Sequence, residues 1–268
     1  MPELPEVETI VRRFRPRLLR KRIAGFEASW PRQISPSVAR VRRAVCGRRI
    51  LELARRGKLI VIHLDDGSAL LLHLKMSGRL AWVDRSGVRL PEPHERARLI
   101  MQGGERLLFC DARKFGRIRH VRDVEAALDA LGPEPLSAGF DAARLLRMLG
   151  ERRRRIKPLL LDQAFVAGLG NIYTDEALFR AGLHPLRRAC DLDPNEVRRL
   201  RRAIRSVLRD GIRRCGTSID WIYPGGRMQD YLRVYGRAGE PCPRCGTPIQ
   251  RIMAGQRSTH LCPRCQPP

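Results

Sequence analysis

Two groups of residues in this chain could do chemistry. The first is its opening run, Met1-Pro2-Glu3-Leu4-Pro5-Glu6. Methionine is normally trimmed when the next residue is small, and trimming leaves Pro2 as a free secondary amine. An α-amino group titrates near pH 8; a lysine would need its pKa lowered by about two to three units to match it. With Glu3 and Glu6 within four residues, such an amine is equipped for Schiff-base chemistry on a sugar aldehyde carbon. The same six residues also read as a helix start, with Pro5 in the first turn and acids where the dipole favours them. Taken alone, the helix start is the commoner meaning of such a run.

The second group is Cys242-Pro-Arg-Cys245 and Cys262-Pro-Arg-Cys265, two C-x₂-C knuckles separated by 16 residues. Four thiolates at this spacing predict one closed, structural Zn²⁺ site. Between the knuckles, Ile249–Ala254 and Ser258–Leu261 read as two strands joined by Gly255-Gln256-Arg257. Arg257 at the tip is a cation placed for a phosphate. So small a unit has little core, and metal binding supplies much of its folding energy.

The elements that must position these groups change character along the chain. Val7, Ile10, Val11, Phe14 and Leu18 form an apolar stripe at helical spacing over 5–20. From about 22 to 122 short β-like runs follow, at 48–54, 59–64, 69–74, 98–102, 106–111 and 116–121. Turn signals such as Asp66-Gly67 and Gly103-Gly104 separate them, which suggests an antiparallel sandwich or barrel. After Gly132-Pro133-Glu134-Pro135 the pattern turns helical, at roughly 141–150, 156–163, 173–181 and 194–211. A glycine- and proline-bearing stretch over 216–233 reads as a loop.

Composition narrows the partner. The 268 residues allow two modest domains with real cores, and 43% apolar content fits a folded, soluble chain. No apolar run approaches the roughly 20 residues of a membrane span, and no secretory leader is expected. The net charge is +25, far beyond what solubility needs, and predicts a polyanion, most simply nucleic acid. Only five of the 53 basic residues are lysines. Of the eight cysteines, the scattered Cys46, Cys110, Cys190 and Cys215 read as buried thiols in a reducing compartment, so a cytoplasmic location is expected.

Further short motifs stand in order between the two ends. They are Arg56-Gly57-Lys58, His73-Leu74-Lys75-Met76-Ser77-Gly78 and Asp111-Ala112-Arg113-Lys114-Phe115-Gly116-Arg117. Leu161-Asp162-Gln163, Gly168-Leu169-Gly170-Asn171-Ile172-Tyr173 and Val234-Tyr235-Gly236-Arg237 follow. With the opening run and the cysteines, in this order and at these separations, the chain resembles the bacterial formamidopyrimidine-DNA glycosylases. That family lies in the superfamily that also contains endonuclease VIII, and the likeness runs nearly end to end.

The resemblance implies a multidomain α+β protein. An N-terminal helix and antiparallel β-sandwich would span 1–122, a linker 123–135, a helix-two-turn-helix domain with a base-covering loop 136–233, and a zinc finger 234–268. It implies base-excision repair of oxidised purines in double-stranded DNA, by a monomeric, nucleoid-associated glycosylase that also cleaves abasic sites. Pro2 would attack C1′, Glu3 would act as the acid, Glu6 as a supporting carboxylate, and Lys58 would stand near the lesion. Lys58, His94, Lys157, Asn171 and Arg257 would contact the DNA backbone. Met76, Arg113 and Phe115 would fill the void left by a flipped base, Arg113 reading the orphaned partner.

The chain also departs from the family pattern. Lys75 stands where many members have glycine. The stretch Thr217–Leu232 is short and divergent, and its Trp221 and Tyr223 could stack on a base or anchor the loop. Leu4 favours the oxidised-purine branch. An endonuclease VIII-like enzyme for oxidised pyrimidines and a non-catalytic lesion-binding protein are the alternatives.

Overall fold

The computed structural model describes residues 1–85, 92–218 and 225–268; Trp221 and Tyr223 lie outside the described residues. The chain divides into two compact units. The first holds Met1–Pro2 and Glu6–Ala130, with a short segment from Ser218; the second holds Glu3–Pro5, Leu131–Thr217 and Gly225–Pro268. Helix α1 (Leu4–Leu18) thus begins in the second unit and continues in the first.

The first unit is a β-sandwich. Strands β1 (Ile23–Ala28), β2 (Ile34–Ser35), β3 (Ile50–Arg56), β4 (Leu59–Leu64), β5 (Ala69–His73), β6 (Gly78–Val83), β7 (Glu95–Met101), β8 (Arg106–Asp111) and β9 (Arg117–Val121) form two sheets. Their orders are β1-β7-β8-β6 and β2-β9-β5-β4-β3. All pairings are antiparallel except β2 with β9. The predicted α1 stripe, from Val7 to Leu18, is buried in the core between Ile60, Ile62, Leu70, Leu72, Leu99 and Phe109. Leu71 and Val61 point to the opposite face, which helix α3 (Val124–Leu128) covers. The expected linker 123–135 is therefore partly a helix with a packing role. Helix α2 (Val38–Val45) was also unpredicted; Ser37 caps it by accepting the Arg40 N–H.

The topology places two connections side by side. In one sheet His73 of β5 pairs with Arg117 of β9; in the other Gly78 of β6 pairs with Asp111 of β8. Loops 74–77 and 112–116 each carry the chain between these same two sheets, so they leave the sandwich at one edge.

The second unit is helical: α4 (Ala142–Gly150), α5 (Ile156–Leu161), α6 (Asn171–Ala181) and α7 (Pro194–Arg213), with the hairpin β10 (Gln250–Ala254) and β11 (Arg257–Leu261). The stripe Val197, Leu200, Ile204, Val207 and Leu208 is buried as its spacing predicts. A capping box of Asp193 and Glu196, with Pro194 at the first turn, starts α7. The cysteine hairpin belongs to this unit rather than standing alone. Phe179 of α6 packs with Val234, Cys242, Ile249 and Cys262. The Arg244 guanidinium lies over the Phe179 ring and donates to the carbonyls of Phe179 and Arg180 at 3.1 Å, closing the end of α6.

One compositional expectation fails. Of the four scattered cysteines only Cys110 is buried, while Cys46 and Cys190 are half-buried and Cys215 is exposed. Cys215 follows the last turn of α7 in a left-handed conformation, where it has no core to enter.

Candidate active site

Pro2 and Glu6 are both buried. Glu3, the residue between Pro2 and α1, has its carboxylate in a backbone seat. Its Oε2 accepts the Gly170 N–H at 2.7 Å and the Tyr173 N–H at 3.3 Å, and Oε1 accepts the Ile172 N–H at 2.9 Å. These are the orphan donors at the start of α6, where the helix dipole favours an anion. The Gly168-Leu169-Gly170 turn exists for this approach. A Cβ on Gly170 would stand 2.3 Å from the Glu3 carboxyl carbon, and one on Gly168, at φ +96°, 2.7 Å from the Leu4 side chain. The anion at these N–H groups is this chain's own Glu3.

In the first unit, Gly57 and Lys58 form the two-residue turn between β3 and β4, Gly57 taking the positive φ that such a hairpin requires. Lys58 is buried. On α1, Glu8 accepts from Arg12 of the same helix and from Arg55 of β3. Burial pushes the Glu8 carboxyl up, but the two guanidiniums outweigh it and hold it below the usual range.

His73 is a residue that the motif reading passed over. Its Nδ1 accepts the Lys75 backbone N–H at 3.0 Å, which leaves Nε2 as the donor of the neutral ring. Burial, then the charges of Lys75 and Lys58, push its pKa down to about 4. The unfolded chain takes up this proton near pH 6.5 and the folded chain only near 4, so acidification through that window favours unfolding. We expect His73→Asn, whose Oδ1 can replace Nδ1 as acceptor, to flatten that slope. Urea unfolding at pH 4 and pH 7 should show the native chain losing up to about 3 kcal/mol more than the variant. Equal losses would mean that His73 is not held neutral.

The void-filling candidates sit on the two adjacent loops. Met76 and Phe115 are 37% and 54% exposed, unusual for such side chains, and Arg113 is exposed as well. Asp111 joins the loops: its carboxylate accepts from the Ser77 hydroxyl and, at 2.7 Å each, from Gln33 Nε2 and the Gly116 N–H. Ser77 Oγ in turn accepts the Arg113 N–H at 3.2 Å. His94, exposed and at φ +64°, precedes β7, and its carbonyl accepts the Asp111 N–H.

Lys157 departs from expectation. Its side chain is 0% exposed, and its ammonium is 2.6 Å from Asp175 Oδ1, 2.8 Å from Thr259 Oγ1 and 2.9 Å from the Ser258 carbonyl. So enclosed an ammonium reaches no phosphate; it fastens β11 to α5 and α6. Asn171 donates to the same Ser258 carbonyl at 3.0 Å. Arg257 is exposed and opens β11 rather than belonging to the turn. Glu176 of α6 accepts the N–H groups of Arg233, Val234 and Tyr235, which is what holds the Val234-Tyr235-Gly236-Arg237 motif in place. Burial raises its pKa, although those three hydrogen bonds oppose the rise.

The four cysteines converge. Their sulfurs all lie within 4.8 Å of one another. Cys245 Sγ is 3.5 Å from Cys262 and 3.5 Å from Cys265, and Cys242 is 3.9 Å from Cys265. A tetrahedral ion with Zn–S bonds of about 2.3 Å has edges of about 3.8 Å, whereas a disulfide needs about 2.05 Å. The donor set therefore fits a metal. Arg244 and Cys265 N–H groups donate to Cys242 and Cys262 sulfurs at 3.4 Å, as supports for thiolate ligands.

Known proteins match this chain over nearly its whole length. Residues 1–118 match the family described as the formamidopyrimidine-DNA glycosylase N-terminal domain, residues 131–222 its H2TH domain, and residues 239–268 the zinc finger found in FPG and IleRS. Curated formamidopyrimidine-DNA glycosylases are similar in sequence. That of Chloroflexus aurantiacus is 45% identical over 99% of this chain and 98% of its own. That of Moorella thermoacetica is 47% identical over 94% of each. The Lactococcus lactis enzyme, solved non-covalently bound to DNA with an AP site, superposes at TM-score 0.92 with 35% identity over 99% of this chain and 100% of its own. The same enzyme with a FAPY-dG DNA gives 0.92 and 34%, over 99% and 100%. The chain belongs to the formamidopyrimidine-DNA glycosylase family.

Proposed function

We propose that this protein is a base-excision repair enzyme, a bifunctional DNA glycosylase and abasic-site lyase that removes oxidised purines, 8-oxoguanine and formamidopyrimidines, from duplex DNA. The observation that carries the reading is the joined pair Pro2-Glu3, its carboxylate seated on the α6 amides, in a chain similar end to end to glycosylases solved on such DNA. Once Met1 is removed, the Pro2 amine attacks C1′ and the base leaves. Glu3 takes up the proton that the attacking amine loses and passes it to the sugar ring oxygen, which opens the ring and leaves an iminium between Pro2 nitrogen and C1′. The iminium acidifies C2′; loss of that proton expels the 3′ phosphate, and a second elimination expels the 5′ phosphate. Glu6 supports the amine. Lys58, His94, Asn171 and Arg257 hold phosphates, with Lys157 acting at one remove by fixing the hairpin that bears Arg257.

Met76, Arg113 and Phe115 enter the stack when the base leaves it, a move that otherwise costs a few kcal/mol. Zn²⁺ is the metal we assign to the four cysteines, in a structural role. The partner is damaged double-stranded DNA, engaged by one copy of the chain. Its curated relatives are bacterial, and no helix of the described residues is long and apolar enough to cross a membrane.

Borohydride trapping tests the chemistry. Protein whose intact mass shows Met1 removed should form a covalent adduct with 8-oxoguanine DNA, and protein that retains Met1 should form none, because its proline nitrogen is an amide. No adduct from the trimmed chain would leave only lesion binding. Faster release of thymine glycol than of 8-oxoguanine would move the enzyme to the pyrimidine branch.

A further inference from the structure

The loop that carries Arg113 and Phe115 is fastened at two points to a segment with no role so far. Between β1 and β2, Trp30 leads into a single 3₁₀ turn, Pro31–Gln33. The Gln33 amide, 1% exposed, donates to Asp111 Oδ2, the oxygen that also accepts the Gly116 N–H at the far end of the loop. Three residues earlier the Trp30 ring lies beneath Lys114, whose ammonium is 3.9 Å from the ring centroid. Arg32 stands 5.8 Å from the same ring.

Lys114 lies between Arg113 and Phe115 and takes φ +61°, a left-handed conformation that a long side chain rarely adopts. Strain of this kind persists only where the surroundings enforce it. In a chain of net charge +25, a lysine at this position would be expected to reach for phosphate. Its ammonium instead rests on an indole face, the aromatic surface that attracts a cation most strongly. The two fastenings grip opposite parts of the loop, Gln33 through Asp111 at its base and Trp30 through Lys114 at its tip.

We propose that Trp30, Gln33 and Lys114 form a brace that sets the pitch of the Arg113–Phe115 loop, and that they are positioning residues for evicting the base rather than for cleaving the sugar. This rests on the reading of Phe115 as the group that enters the stack. A wedge can only hold two base pairs apart if its own backbone resists being pushed back. The brace supplies that resistance from a neighbouring segment of the same sandwich.

The test compares two duplexes under single-turnover conditions with the full-length, zinc-loaded protein. One carries 8-oxoguanine opposite cytosine, which must be evicted; the other carries a preformed abasic site, which has no base to evict. Lys114→Met keeps the stem and loses the cation, and Trp30→Leu loses the ring. Each should slow 8-oxoguanine excision by roughly tenfold or more, as displaced groups do, and leave abasic-site cleavage within about twofold. The double variant should be no slower than the slower single one, since both remove one contact. Lys114→Arg, which retains a cation for the ring, should restore excision. Phe115→Ala calibrates the comparison and should slow 8-oxoguanine excision more than abasic-site cleavage. If Phe115→Ala splits the two substrates and Lys114→Met does not, the brace is wrong and the wedge stands. If both substrates slow equally, Lys114 serves DNA contact or folding and the brace is again wrong. Native protein that cleaves neither duplex would overturn the functional reading itself.

Discussion

Glu3→Gln is expected to lose base excision by about 10²–10⁴-fold, the usual worth of a positioned proton donor, while still binding duplex DNA. The structure makes this a demanding prediction, because Glu3 has a second occupation. Its two oxygens take three N–H donors from Gly170, Ile172 and Tyr173, so it also caps α6. Glutamine keeps one oxygen acceptor and turns an NH₂ toward the remaining donors. A buried donor left unpaired costs about 1–3 kcal/mol, and loss of the anion at a helix start about another 0.3–1 kcal/mol. The variant should therefore unfold at lower urea as well. The two roles separate in Glu3→Asp, which keeps the charge but is one methylene too short for all three donors. Urea midpoints and single-turnover excision, measured on both variants, decide between them. A glutamine variant that excises within tenfold of the native chain would show that the carboxylate is only a cap. Gly170→Ala offers a check from the other side, since its Cβ would collide with the Glu3 carboxyl at 2.3 Å; it should reproduce the loss with the acid itself intact.

Legibility in the sequence followed the distance over which each feature is specified. The α7 stripe and the α1 stripe are periodic within one helix, and both were readable. Strands β4 and β5 are buried on both faces as central strands, and their continuous apolar runs announced them. Helix α3 was not readable, because five residues carry too little periodicity; Val124, Ala127 and Leu128 become a face only when the sheet beneath them exists. The cysteine site was fully legible, since coordination geometry is written into the C-x₂-C spacing. The Glu3 seat was not, because its donors are backbone groups some 167 positions away.

Lys157 shows the same limit in reverse. A lysine just after a run of four arginines reads as a surface cation, and only its distant neighbours Asp175, Ser258 and Thr259 reveal that it is enclosed. His73 went unnoticed because a histidine in a motif does not declare its titration. Burial and the neighbouring Lys75 and Lys58 set that. The exposure of Met76 and Phe115 follows from the two connections leaving one edge of the sandwich.

Removing the metal should have the other large effect, because the apolar cluster around the cysteines is small. Among the described residues, that cluster contains only Phe179, Val234 and Ile249 beyond the cysteines, and structural zinc sites of this kind contribute on the order of 10–16 kcal/mol to folding at pH 7. Chelation should release one zinc per chain and melt β10 and β11. The consequence reaches further than the hairpin. Lys157 would lose the Ser258 carbonyl and Thr259 hydroxyl, and Asn171 would lose the same carbonyl. Asp175, which also accepts the His260 N–H at 2.9 Å, would keep only its ion pair. A buried pair whose supporting hydrogen bonds are stripped no longer offsets the cost of burying two charges, so α5 and the start of α6 should loosen too. Those residues include Asn171 and the amides that seat Glu3. The sandwich has its own core and should persist. Hydrogen exchange on metal-free and zinc-restored protein reads this directly. Protection should disappear from 250–261 and fall at 156–161 and 170–173, stay unchanged across β4 and β5, and return with zinc. Metal-free protein that keeps Thr259–Leu261 protected would mean that the hairpin folds on packing alone and that the four cysteines are dispensable for it.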